Sequence, residues 1–312
     1  MQLGLMVEPQ IGGSYQRLLD LARWAEARGL DSFARSDHYL AGNKSAPATD
    51  SFTTLAGLAR DTDRIELVAL VTPLTFRHPA VIAKTAATLD EMSGGRFVLG
   101  VGTGWMEGEH EVFGMELPSM WERFSRLFEV LAYIRAAYGP GEGFRGRHYE
   151  LQPIEVLPRP QSPRLVVGGS GMKKTPSYAG RFADEYNMGA TDRETFEQRC
   201  AVMREAALAS DRDPAAITIS MSAPTFVAAT EDEYRALIER WAAARDSSPD
   251  EVEAMMAKRN WLRGTPDEAG TTAAELGDMG VQKLYLQELR SLDEVDTALL
   301  DTIVSSIEEP SG

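Results

Sequence analysis

Eight times along this chain a short run of β-forming residues is followed by a stretch whose apolar residues recur at helical spacing, and this alternation constrains the fold more than any other feature. The strand-like runs are Leu3–Val7, Ser32–Arg35, Ile65–Val71, Phe97–Val101, Arg164–Val167, Asp184–Met188, a run alternating Ile217, Ile219 and Met221, and Lys283–Leu286. Between them, Ser14 caps a helix striped with Leu18, Leu21, Ala22 and Ala25 that stops at Gly29. A helix is expected over Ser51–Arg60, another opened by Pro79 and ended by Gly94 and Gly95, and a third over Trp121–Tyr138. Further stripes follow Gly171, run through Cys200, carry Tyr234, Leu237, Ile238 and Trp241, and close with Val295, Leu299, Ile303 and Ile307. The expected fold is α/β, a (β/α)8 TIM barrel formed by residues 1–312 as one domain, with insertions after strands 4 and 7. Alternation alone does not show closure, so an open doubly wound sheet is the competing architecture. Three segments exceed ordinary loop length: Gly104–Met120, Gly139–Arg164 with its GPGEG and PRPQSPR stretches, and Asp246–Pro266.

Composition narrows the function. A net charge of −15 repels phosphate backbones and anionic membranes, so nucleic acid and membrane are not expected partners. The single cysteine, Cys200, shares a helical stripe with Phe196, Met203 and Ala207, which reads as core packing. No stretch resembles a signal peptide or a membrane span, and a cytoplasmic location is expected. Neither an H-E-x-x-H spacing nor a G-x-S-x-G elbow occurs, so metal and serine chemistry lack support.

Four segments could carry chemistry. Ser36-Asp37-His38 directly follows the second strand, where a barrel keeps its site and an imidazole can trade protons near neutral pH; the alternative is a capping Asp beside a satisfied surface His. Gly100-Val-Gly-Thr-Gly104 ends strand four, and its glycines with Thr103 either admit a ring or phosphate or make a tight strand exit. Gly168-Gly-Ser-Gly171 opens a helix beside Lys173 and Lys174, which suits an anion at a helix N-terminus; a solvated turn is the alternative. After strand three, Thr72 and Arg77 could contact a cofactor, although turn chemistry explains the neighbouring prolines equally well. Trp105, Trp121 and Trp261 either roof a pocket or pack, and Glu107, Glu109 and Glu111 are either acid/base groups or a solvated edge.

In this order the motifs resemble the luciferase-like monooxygenase superfamily, and more closely its deazaflavin-dependent oxidoreductase branch. The matching stretches are SDH at Ser36–His38, the run from Leu70 to Trp105, ERF at Glu122–Phe124, FRGRHYEL at Phe144–Leu151, PRLVVGGSGMKKT at Pro163–Thr175 and GRFADEYNM at Gly180–Met188. The resemblance covers most of residues 1–215. It implies a barrel that binds coenzyme F420, or FMN as the alternative, and transfers hydride to or from a small organic substrate. By position it implies a bulge with a non-prolyl cis peptide at Ala69-Leu70, a proton-handling role for His38, and cofactor contacts at Asp37, Ala69, Leu70, Thr72, Thr103 and Gly104. The phosphate loop falls on Gly168, Gly169, Ser170 and Gly171, with Met172 beside it. Relatives pair through outer helices, so a homodimer is expected. Two departures stand out: Tyr39–Gly42 lacks the tryptophan of the sugar-phosphate dehydrogenases, and Trp105 replaces their glutamate after the glycine turn. Both argue against glucose-6-phosphate as substrate. A flavin-dependent monooxygenase and a silent flavin-binding protein of the same fold are the other readings; the presence of both Asp37 and His38 speaks against silence.

Overall fold

Strand pairing in the computed structural model, which describes residues 1–41, 47–161 and 163–309, settles the question of closure. Gly42 of the Tyr39–Gly42 stretch and Ser162 of the PRPQSPR segment lie outside the described residues. In chain order the strands are β1 (Gln2–Val7), β2 (Ser32–Arg35), β3 (Glu66–Pro73), β4 (Phe97–Gly102), β5 (Phe144–Arg145), β6 (Glu150–Leu151), β7 (Arg164–Gly168), β8 (Glu185–Gly189), β9 (Thr218–Val227), β10 (Leu262–Gly264) and β11 (Lys283–Glu288). Parallel pairing runs β1–β2–β3–β4–β7–β8–β9–β11 and returns from β11 to β1, so eight strands close a barrel. The helices are α1 (Tyr15–Arg28), α2 (Ser51–Asp61), α3 (Pro79–Ser93), α4 (Glu107–Phe113), α5 (Met120–Ala137), α6 (Lys174–Phe182), α7 (Arg193–Leu208), α8 (Glu231–Ala243), α9 (Pro249–Lys258), α10 (Pro266–Met279) and α11 (Thr297–Glu308).

Local chemistry accounts for the boundaries. The Ser14 hydroxyl accepts the Arg17 N–H at the start of α1, and Gly29 ends it in the left-handed region at φ 93°. Leu18, Leu21, Ala22 and Ala25 are buried against the barrel, each large apolar side chain contributing about 1.5–3 kcal/mol. Strand alternation divides the core: Leu3, Leu5, Leu67, Ala69, Phe97 and Leu99 pack toward the helices, whereas Met6, Val68, Leu70, Val98, Val166 and Tyr285 form a separate interior cluster. Cys200 lies in the core, and burial pushes its thiol up to about 11, consistent with packing.

The long connections also resolve. Gly139–Arg164 contains the antiparallel β5–β6 ribbon, the segment after β4 contains α4, and the path from β9 to β11 contains α8, α9, β10 and α10. β10 pairs with the outer end of β9, and Phe226, Tyr234, Ile238, Val252 and Met256 give this insert its own small core. Val295 precedes the last helix, which Asp296 caps, rather than lying within it. Among the described residues no helix is long and apolar enough to cross a membrane.

The bulge is displaced from its expected place. Ala69 stands opposite Leu99 but Thr72 opposite Val101, and the cis peptide joins Leu70 to Val71, one residue after Ala69-Leu70. A Cβ on Gly100 or Gly168 would approach Val71 Cγ1 to 2.8 Å, and one on Gly102 would approach Val71 Cγ2 to 2.7 Å. These glycines leave the space that the bulged Val71 fills, which is why β4 and β7 carry them.

Candidate active site

A cavity of about 890 Å³ opens at the C-terminal ends of the barrel strands. Its floor is Met6, Leu70 and Val71; one wall is Gly102, Thr103 and Gly104 with Gly168, Gly169, Ser170 and Gly171; His38 stands on another side. This volume is ordinary for a cofactor or small-molecule site.

His38 is tied to a residue that the sequence left undecided. Its Nδ1–H donates to Glu109 Oε2 at 2.9 Å, and the other Glu109 oxygen accepts the backbone N–H groups of Tyr39 and, at 3.1 Å, Leu40. Nε2 makes no hydrogen bond with another described residue, and the ring lines the cavity. Burial lowers the basicity of His38, but the hydrogen bond and charge of Glu109, with Glu8 and Asp37 further off, outweigh it and hold the imidazole above its ordinary value. Burial raises the Glu109 carboxyl, yet His38 and the two backbone donors bring it below the usual range. Trp105 meets the His38 ring edge-on, with centroids 5.8 Å apart. Glu109 reaches this position because α4 is pinned at His110, whose ring nitrogens bond Met106 O and Thr75 Oγ1, both at 2.8 Å. In the run Glu107-Gly-Glu-His-Glu111 nothing marks Glu109 out; only the docking of α4 against the β2 exit does so.

A polar network that sequence reasoning missed also lines the cavity. Glu8 Oε2 and Oε1 accept the amides of Gln10 and Gln287, each at 2.6 Å, and Ser36 Oγ donates to Gln10 Oε1 at 2.7 Å. Asn187 donates to Ser220 at 3.0 Å and Ser222 at 3.3 Å. These are inward positions at strand ends, a signal that requires the closed barrel to be known.

Several expected contacts point elsewhere. Asp37 is fully buried, faces away from the cavity and pairs with Arg77, which also binds Asp50, Tyr39 Oη and Thr72 Oγ1. Burial pulls Arg77 down, but Asp37, Tyr39 and Asp50 raise it well above its ordinary value. Thr72 and Arg77 therefore belong to an ion network outside the cavity lining; residues adjacent in an extended segment face apart, so Ser36 and His38 point inward and Asp37 does not. Ala69 packs against the helices for the same reason, and Val71 takes the place assigned to it. Met172 is exposed and does not line the cavity, and Lys173 and Lys174 line a separate outer groove of about 520 Å³ between α6 and α7. Leu70, Thr103, Gly104 and Gly168–Gly171 do lie on the cavity wall.

The wall loop is built for close approach. Gly169 sits at φ +146°, where side chains are strained, and its N–H bonds Asn187 O at 3.2 Å. Arg199 holds Ser170 O at 2.6 Å and Arg123 holds Gly104 O, both arginines bracing the loops from behind. Among the described residues the Ser170 and Gly171 N–H groups have no protein partner, leaving donors free near the start of α6. No group of three or more His, Cys, Asp or Glu among the described residues is arranged to hold a metal.

Comparison with known proteins supplies the context for this site. The family model for luciferase-like monooxygenases matches residues 1–291. The chain is similar to the pyrimidine monooxygenase RutA of Escherichia coli (strain SMS-3-5 / SECEC), 30% identical over 80% of this chain and 70% of that one. It is also similar to the F420-dependent glucose-6-phosphate dehydrogenase of Amycolatopsis mediterranei (strain U-32), 37% identical over 54% of this chain and 52% of the relative. Among solved structures, an F420-dependent secondary alcohol dehydrogenase in complex with an F420-acetone adduct superposes with a TM-score of 0.81 at 21% identity, covering 98% of this chain and 97% of that one. At that identity the likeness is one of fold.

Proposed function

This chain belongs to the luciferase-like monooxygenase family, and from that premise we propose that it is an oxidoreductase that binds coenzyme F420 and transfers hydride to or from an organic substrate. The observation that carries the proposal is the His38–Glu109 dyad, set at the mouth of a cavity whose opposite wall is a glycine loop with free backbone donors. The residues present fit a flat cofactor with an anionic tail: an apolar floor at Leu70 and Val71, and Ser170 and Gly171 N–H groups for the anion. When bound, a deazaflavin supplies a carbon that donates or accepts hydride and reacts poorly with oxygen. The protein then has three tasks: to orient, to exclude water and to move one proton. His38 handles the proton at Nε2, while Glu109 fixes the ring and stabilises its charged form.

A second reading, an FMN-dependent monooxygenase, draws on the similarity to RutA, which extends over more of the chain than the similarity to the F420-dependent dehydrogenase. Equilibrium titration of the purified protein with each cofactor, anaerobically, separates them. Tighter binding of F420 is expected; FMN binding tenfold more tightly would overturn the proposal.

A further inference from the structure

We propose that this site selects an uncharged, predominantly apolar molecule bearing one oxygen function, with Trp105 as the platform that grips it and His38 as the donor to its oxygen. The inference rests on the cavity reading above and deepens it by naming the substrate class.

Charge is the first argument. The described residues lining the cavity include no lysine and no arginine. The nearby arginines Arg123 and Arg199 are spent on the carbonyls of Gly104 and Ser170, and Arg77 on Asp37 and Asp50. Glu8, by contrast, does line it, in a chain of net charge −15. Among the described residues lining the cavity, the arrangement suited to an anion is the glycine loop, which the anionic end of a bound cofactor would take. A second anion would be desolvated without a counter-charge, and that is costly.

The second argument is the character of the outer rim. Ile11, Trp105, Met106, Met120, Phe124 and Leu289 form it. Trp105 is 66% exposed although it lines the cavity and touches His38 edge-on. An indole this exposed at a cavity mouth leaves an apolar face uncovered by the described residues, and stacking a substrate on it removes that face from water. Glu8, Gln10, Ser36, Gln287, Asn187 and Ser222 also line the cavity but bond one another, whereas His38, held at Nδ1 by Glu109, has no partner for Nε2 among the described residues and so can donate to a substrate oxygen.

The test uses an isosteric pair, acetophenone and benzoate, alike in shape and different in charge. Binding is measured by saturation-transfer-difference NMR on the protein saturated with whichever cofactor it takes, F420 or FMN. Acetophenone is expected to bind at least about tenfold more tightly than benzoate. Trp105→Ala, compared at saturating cofactor, should weaken acetophenone about five- to tenfold. Trp105→Lys, which adds a cation to an exposed position, should shift the preference toward benzoate. Equal or tighter benzoate binding in the wild type, or unchanged acetophenone binding in Trp105→Ala, overturns the inference whichever cofactor is bound. A preference for FMN overturns only the hydride-transfer reading, so the two failures are distinguishable.

Discussion

Replacing Glu109 by Gln isolates the charge that tunes His38. The carboxylate side chain is 1% exposed and the imidazole 16%, so solvent screens their interaction weakly. At an effective dielectric constant of about 20, two unit charges about 3 Å apart interact by about 5 kcal/mol, which is a ceiling. A hydrogen bond to a charged partner contributes about 1.5–3 kcal/mol net, and 1.36 kcal/mol is one pKa unit. Glutamine keeps the shape and can still accept the Tyr39 and Leu40 N–H groups, but it turns an amide N–H toward Nδ1. Burial then acts on His38 with only the more distant Glu8 and Asp37 opposing it, so its titration midpoint should fall. The sign carries into stability: a folded value raised above the unfolded 6.5 contributes stability below that pH, lost as pH rises through the folded value. Glu109→Gln removes that acid-side contribution. With only four histidines, ring-proton NMR can follow His38 from pH 4 to 9. A midpoint unchanged within about 0.3 units, or raised, would refute the reasoning.

Two further substitutions probe the neighbouring roles. His38→Ala should slow the chemical step about a hundredfold or more at saturating cofactor while cofactor affinity changes less than about twofold; an unchanged single-turnover rate removes His38 from the mechanism. Asp37→Ala leaves Arg77, 13% exposed, with Asp50, Tyr39 and Thr72 as its polar anchors, and should cost about 3 kcal/mol in urea unfolding, the low end for a broken buried pair. A loss below about 1 kcal/mol would show that the ion network tolerates the vacancy.

How much of this could be read from residues alone depends on the range of the signal. Strand–helix alternation is local, and the eight barrel strands lie where period-two runs and helix caps put them, with shifts at their ends. Closure is non-local: it rests on the pairing of the last barrel strand, β11, with the first, β1. His38 was legible because it directly follows a strand. Its partner was not, because Glu109 is separated from it by 71 residues and shares its run with Glu107 and Glu111. The lysines at the glycine loop misled in the opposite way: Lys173 and Lys174 adjoin the loop in sequence, but the turn into α6 sends them to the outer groove. Charge in sequence specifies a neighbourhood; the backbone decides which side of the wall it faces.

The glycine-rich exit of β4 shows why fold and site resist separation. As a ligand-approach motif Gly100-Val-Gly-Thr-Gly104 was evenly balanced against a tight turn, and the structure divides it between two uses. Gly100 and Gly102 make room for Val71, and without that room the bulge of β3 would collide with β4. The bulge in turn places Val71 on the cavity floor and shifts the register, so that Thr72 falls outside the lining rather than inside it. Thr103 and Gly104, one step further, reach the cavity directly, and Arg123 fixes the Gly104 carbonyl from behind. A side chain at Gly102 should therefore disturb the floor through Val71 before it touches anything bound. Gly100 thus shapes the cavity through the protein's own strand, and Gly102 does so both through that strand and as part of the wall.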